Sequence, residues 1–318
     1  FSSTSVAQAK YMVQETECKL FMAGEQEQYD VAKQLINDIP SLKKIVVFDS
    51  AVKLDAEIPT ETFDSFMGNG AAGSWDEQLK KLESDADDKD LCTIIYTSGT
   101  SGEPKGVMLS VSNFMHCLKI HDLRLSISDT DISLCFLPLS HIFERGWTFI
   151  ALSKGMTCYY LRNPKEVVDA VKVVKPTIMC SVPRFFEKTY EGVNAEIAKS
   201  SALKQKIFKW AIGSGGKRLD YIWNKKSVPF GLNLTYKLAD KLVLAKGRAA
   251  LGGNFRFMVC GGASLSLDII HFFEQVGIHI KIGYGLTETV ASVTCLLDDD
   301  INTSSVGKVM PLLDVKIG

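Results

Sequence analysis

The stretch from Thr93 to Gly106 constrains this chain more than any other. A β-branched and aromatic run, Thr93-Ile94-Ile95-Tyr96, empties into Thr97-Ser98-Gly99-Thr100-Ser101-Gly102 and then Glu103-Pro104-Lys105-Gly106. Such small residues bury nothing, so they fit a loop at the end of a strand. Glycines let backbone N–H groups turn toward an anion, hydroxyls add donors, and Lys105 brings a positive charge. The widespread nucleotide loop G-x-x-x-x-G-K-[ST] sets glycine directly before its lysine and a hydroxyl after it. Here Glu103 and Pro104 separate Gly102 from Lys105, and Gly106 follows. The segment therefore reads as a phosphate loop of another kind, with a flexible Ser/Gly/Thr turn as the alternative.

Apolar runs and helical patterns alternate along the rest of the chain. Ile45-Val46-Val47-Phe48-Asp49 has the pattern of a buried parallel strand, and a helix is predicted just before it over 28–37. Further strands are predicted over 92–96, 132–137, 177–182, 256–260 and 278–282, and helices over 110–122, 166–174 and 267–276. This alternation implies an α/β fold of layered, largely parallel sheets with flanking helices. The small-residue run Gly68-Asn69-Gly70-Ala71-Ala72-Gly73 and the charged run from Ser84 to Asp90 read as linker, which sets a boundary at about residue 90. Two subdomains result, 1–90 and 91–318, as the length of 318 residues allows.

Charge is balanced overall, at a net -1, and gives no reason to expect nucleic acid as a partner. It is uneven locally. Residues 1–90 hold 18 Asp and Glu against 9 Lys and Arg, whereas 199–248 hold 12 Lys and Arg against Asp220 and Asp240. The 8 cysteines are scattered without C-x-x-C pairs, which suits free, mostly buried thiols in a reducing compartment such as the cytoplasm. No apolar run is long enough to span a bilayer.

Three more segments carry chemistry. Gly283-Tyr284-Gly285-Leu286-Thr287-Glu288-Thr289 offers an aromatic face, a hydroxyl and a hard carboxylate oxygen beside two glycines. Val259-Cys260-Gly261-Gly262-Ala263-Ser264 closes a strand with two glycines, which alone is a common turn. Leu137-Pro138-Leu139-Ser140-His141-Ile142-Phe143-Glu144-Arg145 places a histidine after a strand, where a purely structural role is the commoner one.

Taken together these segments resemble the AMP-forming acyl-CoA synthetases, luciferases and peptide-synthetase adenylation domains. The resemblance implies the adenylate-forming N-terminal-domain fold, with ATP and Mg²⁺ at the site and coenzyme A as co-substrate. It implies that Ser98, Gly99, Thr100, Ser101, Gly102 and Lys105 surround the β- and γ-phosphates, with Thr97 on the metal side. Tyr284 would face adenine between Gly283 and Gly285, Thr287 would bond the phosphate that becomes AMP, and Glu288 would bind Mg²⁺. Gly262 and Ala263 would lie against adenine and the acyl carboxylate, and His141 would orient that carboxylate.

The extended His-x-Phe-Glu-Arg form and Cys180-Ser181-Val182-Pro183-Arg184-Phe185-Phe186 are most similar to the long-chain fatty acid–CoA ligase branch, as is a basic helical insertion at about 189–253. The implied activity is conversion of a long-chain fatty acid to acyl-adenylate and then acyl-CoA, with release of pyrophosphate and AMP. The insertion suggests peripheral contact with a membrane, at its inner face, against the alternative of a solvated helix pair. The family's front segment and C-terminal domain have no counterpart, so the chain is expected to be an impaired N-terminal-domain core. Open alternatives are an adenylating ligase for another acid or a carrier-protein acceptor, and a non-catalytic nucleotide-binding fragment.

Overall fold

The computed structural model describes residues 4–71, 73–97, 104–297 and 304–317. By packing, the chain divides into two compact units, Phe1–Val111 and Ser112–Gly318.

The first unit opens with α1 (Val6–Glu15), β1 (Leu20–Ala23), α2 (Gln26–Ile36), β2 (Lys44–Val47) and β3 (Thr60–Thr62). Its three strands form a parallel sheet in the order β1-β2-β3, with Ile45 paired to Phe21 on one side and Thr60 on the other. Helix α2 lies against it because Tyr29, Ala32, Leu35 and Ile36 share one face at helical spacing, and all four are buried. The Tyr29 hydroxyl also accepts the Asp55 N–H at 2.9 Å, tying the loop before β3 to that helix.

Two exposed helices come next, α3 (Phe63–Ala71) and α4 (Asp76–Asp85), and neither buries a residue. This corrects the linker reading at 68–71 and 84–85, which are helical, whereas 86–90 form no regular element. Asn69 Nδ2 donates to Glu61 at 2.8 Å and Trp75 Nε1 to the Gly70 carbonyl at 2.6 Å, so local polar contacts supply what apolar burial does not. The unit ends in an antiparallel hairpin of β4 (Leu91–Thr97) and β5 (Lys105–Ser110). Residues 91–111 therefore pack with the first unit, and the boundary falls near residue 111 instead of 90. Tyr96 is the anchor, donating its hydroxyl to Glu15 of α1 and meeting the Tyr11 ring edge-on.

The second unit contains α5 (Val111–Arg124), β6 (Ile132–Cys135), α6 (Ile142–Ser153), β7 (Thr157–Tyr160), α7 (Val167–Val174), β8 (Ile178–Ser181) and α8 (Pro183–Ala198). Helices α9 (Ala202–Trp223) and α10 (Phe230–Ala239), a π-turn at Asp240–Leu244 and α11 (Ala245–Ala249) make up the basic insertion. It closes with β9 (Phe257–Cys260), α12 (Leu267–Val276), β10 (Ile280–Tyr284), β11 (Thr294–Cys295) and β12 (Lys308–Val309).

Strands β8, β9 and β10 run parallel, and β11 and β12 extend that sheet antiparallel. Strands β6 and β7 form a separate parallel pair. Strands β8 and β9 are buried at every position, which is why they read as continuous apolar runs and not as alternation. Helix α12 buries Ile269, Ile270, Phe272, Phe273 and Val276 on one sheet face. There Phe186 and Phe273 meet edge-on at 5.3 Å, and Phe273→Ala at this point would cost about 3–5 kcal/mol. Trp147, Ala151 and Met156 cover the opposite face with Ile120.

Candidate active site

The strands that flank the Ser/Gly/Thr motif are paired up to its two ends. Thr97 ends β4 and Lys105 begins β5, directly paired, with Thr97 Oγ1 at 3.5 Å from the Lys105 carbonyl. Burial and then the Glu15 carboxylate push the Tyr96 hydroxyl above its usual range, so it remains a donor across the hairpin's working pH. Lys105 is exposed, and no carboxylate pairs with it among the described residues. Ser98, Gly99, Thr100, Ser101 and Gly102 lie outside the described residues.

The other three motifs belong to the second unit, where parallel pairing aligns their strands. Ser181 and Cys260, at the carboxyl ends of β8 and β9, are register partners, and Cys260 also pairs with Ile282, two residues before the end of β10. The segments beyond them therefore leave the sheet side by side, the usual place for a ligand in an open α/β sheet. They meet at Gly261, where an added methyl would lie 3.4 Å from the Phe143 ring and 3.6 Å from the Gly283 carbonyl. Gly262 has φ +85°, a conformation that favours glycine, and it and Ala263 are exposed.

His141 stands exposed at the N-cap of α6 in extended conformation, and its carbonyl accepts the Arg145 N–H at 3.2 Å. The loop before it is held from the first turn of α6. Glu144 Oε2 accepts the Leu137 N–H at 3.1 Å, and Arg145 Nε donates to the Leu139 carbonyl at 2.8 Å. Glu144 is only 1% exposed, and its Oε1 has no hydrogen-bond partner among the described residues. Burial pushes its carboxyl above the usual range, partly offset by Cys135, the Leu137 N–H and Cys180. The sequence names Glu144 only as part of a motif; an acid three residues after the histidine, on the inward face of an apolar helix, is the available signal.

The Gly283–Thr289 segment is a tightly closed loop. Val293 N–H returns to the Tyr284 carbonyl at 2.8 Å, and the Leu286 carbonyl accepts from Thr289 and Ala291, each at 3.2 Å. The Ala291 carbonyl passes so close to Gly285 that a Cβ there would sit 1.4 Å away. Val290 and Ala291 take φ of 49° and 79°, a costly conformation for residues with a Cβ. The loop presents Thr287 and Glu288 on a 3₁₀ turn, with Tyr284 and Glu288 exposed.

Two side chains of α5, which no sequence motif indicates, fasten the end of this loop and the β11–β12 pair that follows it. His121 Nδ1 lies 2.7 Å from the Cys117 carbonyl, which can only accept, so Nδ1 carries the proton. Its Nε2 then accepts from Ser292 Oγ at 2.9 Å, and burial lowers the pKa of the ring. One turn on, Arg124 donates from Nη1 to the Cys295 carbonyl at 2.9 Å and from Nη2 to the Val309 carbonyl at 2.7 Å.

Among the described residues no group of three or more His, Cys, Asp and Glu side chains could hold a metal ion. Glu288 nevertheless fits Mg²⁺. It is exposed, no ion pair engages it among the described residues, and Mg²⁺ commonly takes one or two carboxylates with waters and substrate phosphates completing its shell.

Parallel strands flanked by helices, with loops gathered at the carboxyl ends of the strands in the second unit, define an α/β protein of the kind that binds a ligand there. Residues 2–318 match the AMP-binding enzyme family, and the chain belongs to it. It is 31% identical over 319 residues to the long-chain-fatty-acid–CoA ligase FadD15 of Mycobacterium bovis, covering 98% of this chain and 50% of that protein. It is 29% identical over 290 residues to the peroxisomal long chain acyl-CoA synthetase 7 of Arabidopsis thaliana, covering 91% of this chain and 40% of that protein. The chain thus spans about half the length of the curated relatives it matches.

The anthranilate CoA ligase AuaEII, solved with anthranoyl-AMP, has a TM-score of 0.62 at 15% identity, covering 97% of this chain and 49% of its own. The N-terminal domain of FACL13 from Mycobacterium tuberculosis has a TM-score of 0.60 at 15% identity, covering 97% and 61%. These likenesses show the fold: an adenylate-forming N-terminal domain.

Proposed function

We propose that the protein this chain represents activates a long-chain fatty acid with ATP and transfers it to coenzyme A. The observation that carries the reading is the convergence at Gly261 of the His141 helix start, the double glycine and the Gly283 loop. The long-chain names among relatives of 27–31% identity support the acyl class.

In the first step a carboxylate oxygen forms a bond to the α-phosphorus while the bond to pyrophosphate breaks. In the second, the coenzyme A thiolate attacks the acyl carbonyl and AMP leaves. The chain supplies no nucleophile; it contributes position and charge. Lys105 and the loop Ser98–Gly102 hold the departing phosphates, and Thr287 bonds the phosphate that stays. Tyr284, Gly262 and Ala263 hold the adenine, while His141 orients the carboxylate. By the family resemblance Thr97 and Glu288 are each candidate ligands for Mg²⁺, which when bound neutralises phosphate charge. The free cysteines suit a cytoplasmic setting, and no helix among the described residues is long and apolar enough to cross a membrane.

The test is fatty-acid-dependent ATP–pyrophosphate exchange in the full-length parent, followed by addition of coenzyme A. Exchange with acids from C12 to C18 and then thioester formation is expected. Failure with all of them overturns the long-chain assignment, and exchange without thioester turns the reading to another acceptor. Glu288→Ala should abolish Mg²⁺-dependent exchange without lowering stability, since Glu288 is exposed; unchanged exchange refutes its metal role.

A further inference from the structure

The helices of the insertion bury a small face of their own, formed by Ala211, Ala239 and Leu244. Away from that face α10 and the π-turn carry Phe230, Leu234, Leu238 and Leu242, which are 85%, 61%, 52% and 47% exposed. Their spacing is four. In an α-helix a four-residue step overshoots one turn by about 40°, so such a row drifts around the axis. The π-turn at Asp240–Leu244 has more residues per turn, and the step from Leu238 to Leu242 falls back instead of drifting on. The row is thereby kept close to a straight ridge, about 18 Å long at 1.5 Å per residue.

The π-turn is braced. Arg248 donates to both Asp240 oxygens, at 2.7 and 3.0 Å, and to the Val276 carbonyl at 2.8 Å. That pair also occupies one of the two acids among the 12 basic residues of 199–248. Lys237 and Lys241 are exposed along one flank of the ridge, and Lys246 continues its row beyond Leu242.

We propose that this ridge rests in the interface of an anionic lipid bilayer, with its leucines among the upper acyl chains and its lysines at the phosphates. Charge complementarity selects that occupant. A protein surface closing over the ridge would have to desolvate ammonium groups in a segment whose acids are Asp220 and the Arg248-bound Asp240. Anionic headgroups supply negative charge and leave those groups hydrated, as at other amphipathic helices that lie on membranes. The inference stands apart from the proposed chemistry, since it holds whatever acid the protein activates.

The test is co-sedimentation of the chain with vesicles of phosphatidylcholine alone and with phosphatidylglycerol added, at low and molar salt. Salt-sensitive retention on the anionic vesicles is expected. Leu234→Ser with Leu238→Ser should weaken it at least about tenfold. Lys237→Glu with Lys241→Glu should erase the preference for anionic over neutral vesicles. All four positions are exposed, so thermal melting should be unchanged and confirms that each variant is folded. Equal retention on both vesicles, or binding that ignores either variant, overturns the proposal. So does concentration-dependent self-association that the leucine variant abolishes while vesicle binding persists, which would mark the ridge as a contact between copies.

Discussion

Replacing Asp131 with Asn should destabilise the second unit by about 3 kcal/mol, and the structure shows where the loss arises. Asp131 is 2% exposed and stands just before β6. Its carboxylate accepts from Arg256 Nε at 3.0 Å and Nη2 at 2.6 Å, from Thr177 Oγ1 at 2.6 Å and from Ser128 N–H at 3.0 Å. Thr177 precedes β8 and Arg256 precedes β9, so one buried charge fastens the amino ends of three strands. Breaking a buried pair costs about 3–5 kcal/mol. Arg256 keeps partial access to water, which sets the lower end of that range, and Asn turns an NH₂ donor toward guanidinium donors.

For a unit of this size that loss lowers Tm by about 6–12 °C. Burial works to raise the Asp131 pKa, but Arg256, Thr177 and the Ser128 N–H outweigh it and hold the carboxyl below its usual range. Its stabilising contribution is therefore present at neutral pH and is lost as pH falls through the depressed folded value. Urea denaturation followed by tryptophan fluorescence, at neutral pH and in acid, measures both effects. A difference under about 0.5 kcal/mol, or a wild-type advantage that grows in acid, refutes the reasoning.

Other expectations rest on single contacts. The Glu144 carboxyl, held high by burial, opposes folding once pH passes its unfolded value, so Glu144→Gln should gain stability relative to wild type from about pH 4 to neutral; a pH-independent difference in urea midpoints would falsify this. Gly285→Ala meets the Ala291 carbonyl and should cost at least about 3 kcal/mol, whereas half-exposed Leu286→Ala should stay within about 0.5 kcal/mol, both read by chemical denaturation. In thiol titration of the native chain, exposed Cys92 should react first. Burial pushes the Cys117 and Cys260 thiols up to about 12, so they should stay silent until unfolding releases all 8. Prompt reaction beyond Cys18, Cys92 and Cys158 would contradict the burial pattern.

The elements that read well in the sequence are those whose burial is one-sided or complete. Helix α12 matches its predicted span because its apolar spacing and its closing Gly277 are both local signals. Strands β8 and β9 are legible as short buried runs between turn residues. Helices α3 and α4 are not, because they bury nothing and carry glycine, asparagine and charge where propensity favours a loop. Strand β5 escapes notice because it begins inside the motif, at Lys105, and its pairing partner lies on the other side of the loop.

The chemical residues of the site are legible as motifs, since glycine, hydroxyl and carboxylate chemistry is written locally. Its supports are not. Arg124 and His121 act on backbone and hydroxyl groups far along the chain, at separations of 171 residues for Ser292 and Cys295 and 185 for Val309, and no spacing rule spans that distance.

The closed loop from Tyr284 to Val293 has a consequence for anyone who would alter this protein. Its two ends are bonded to each other, its chain crosses itself at Gly285, and its closing end is hooked at Ser292 to His121. Such a ring has a fixed circumference. Side chains that point outward, such as Leu286, can be exchanged freely, but one residue inserted or deleted between Gly285 and Ser292 has no slack to absorb it. Libraries aimed at this segment should vary its letters and never its length.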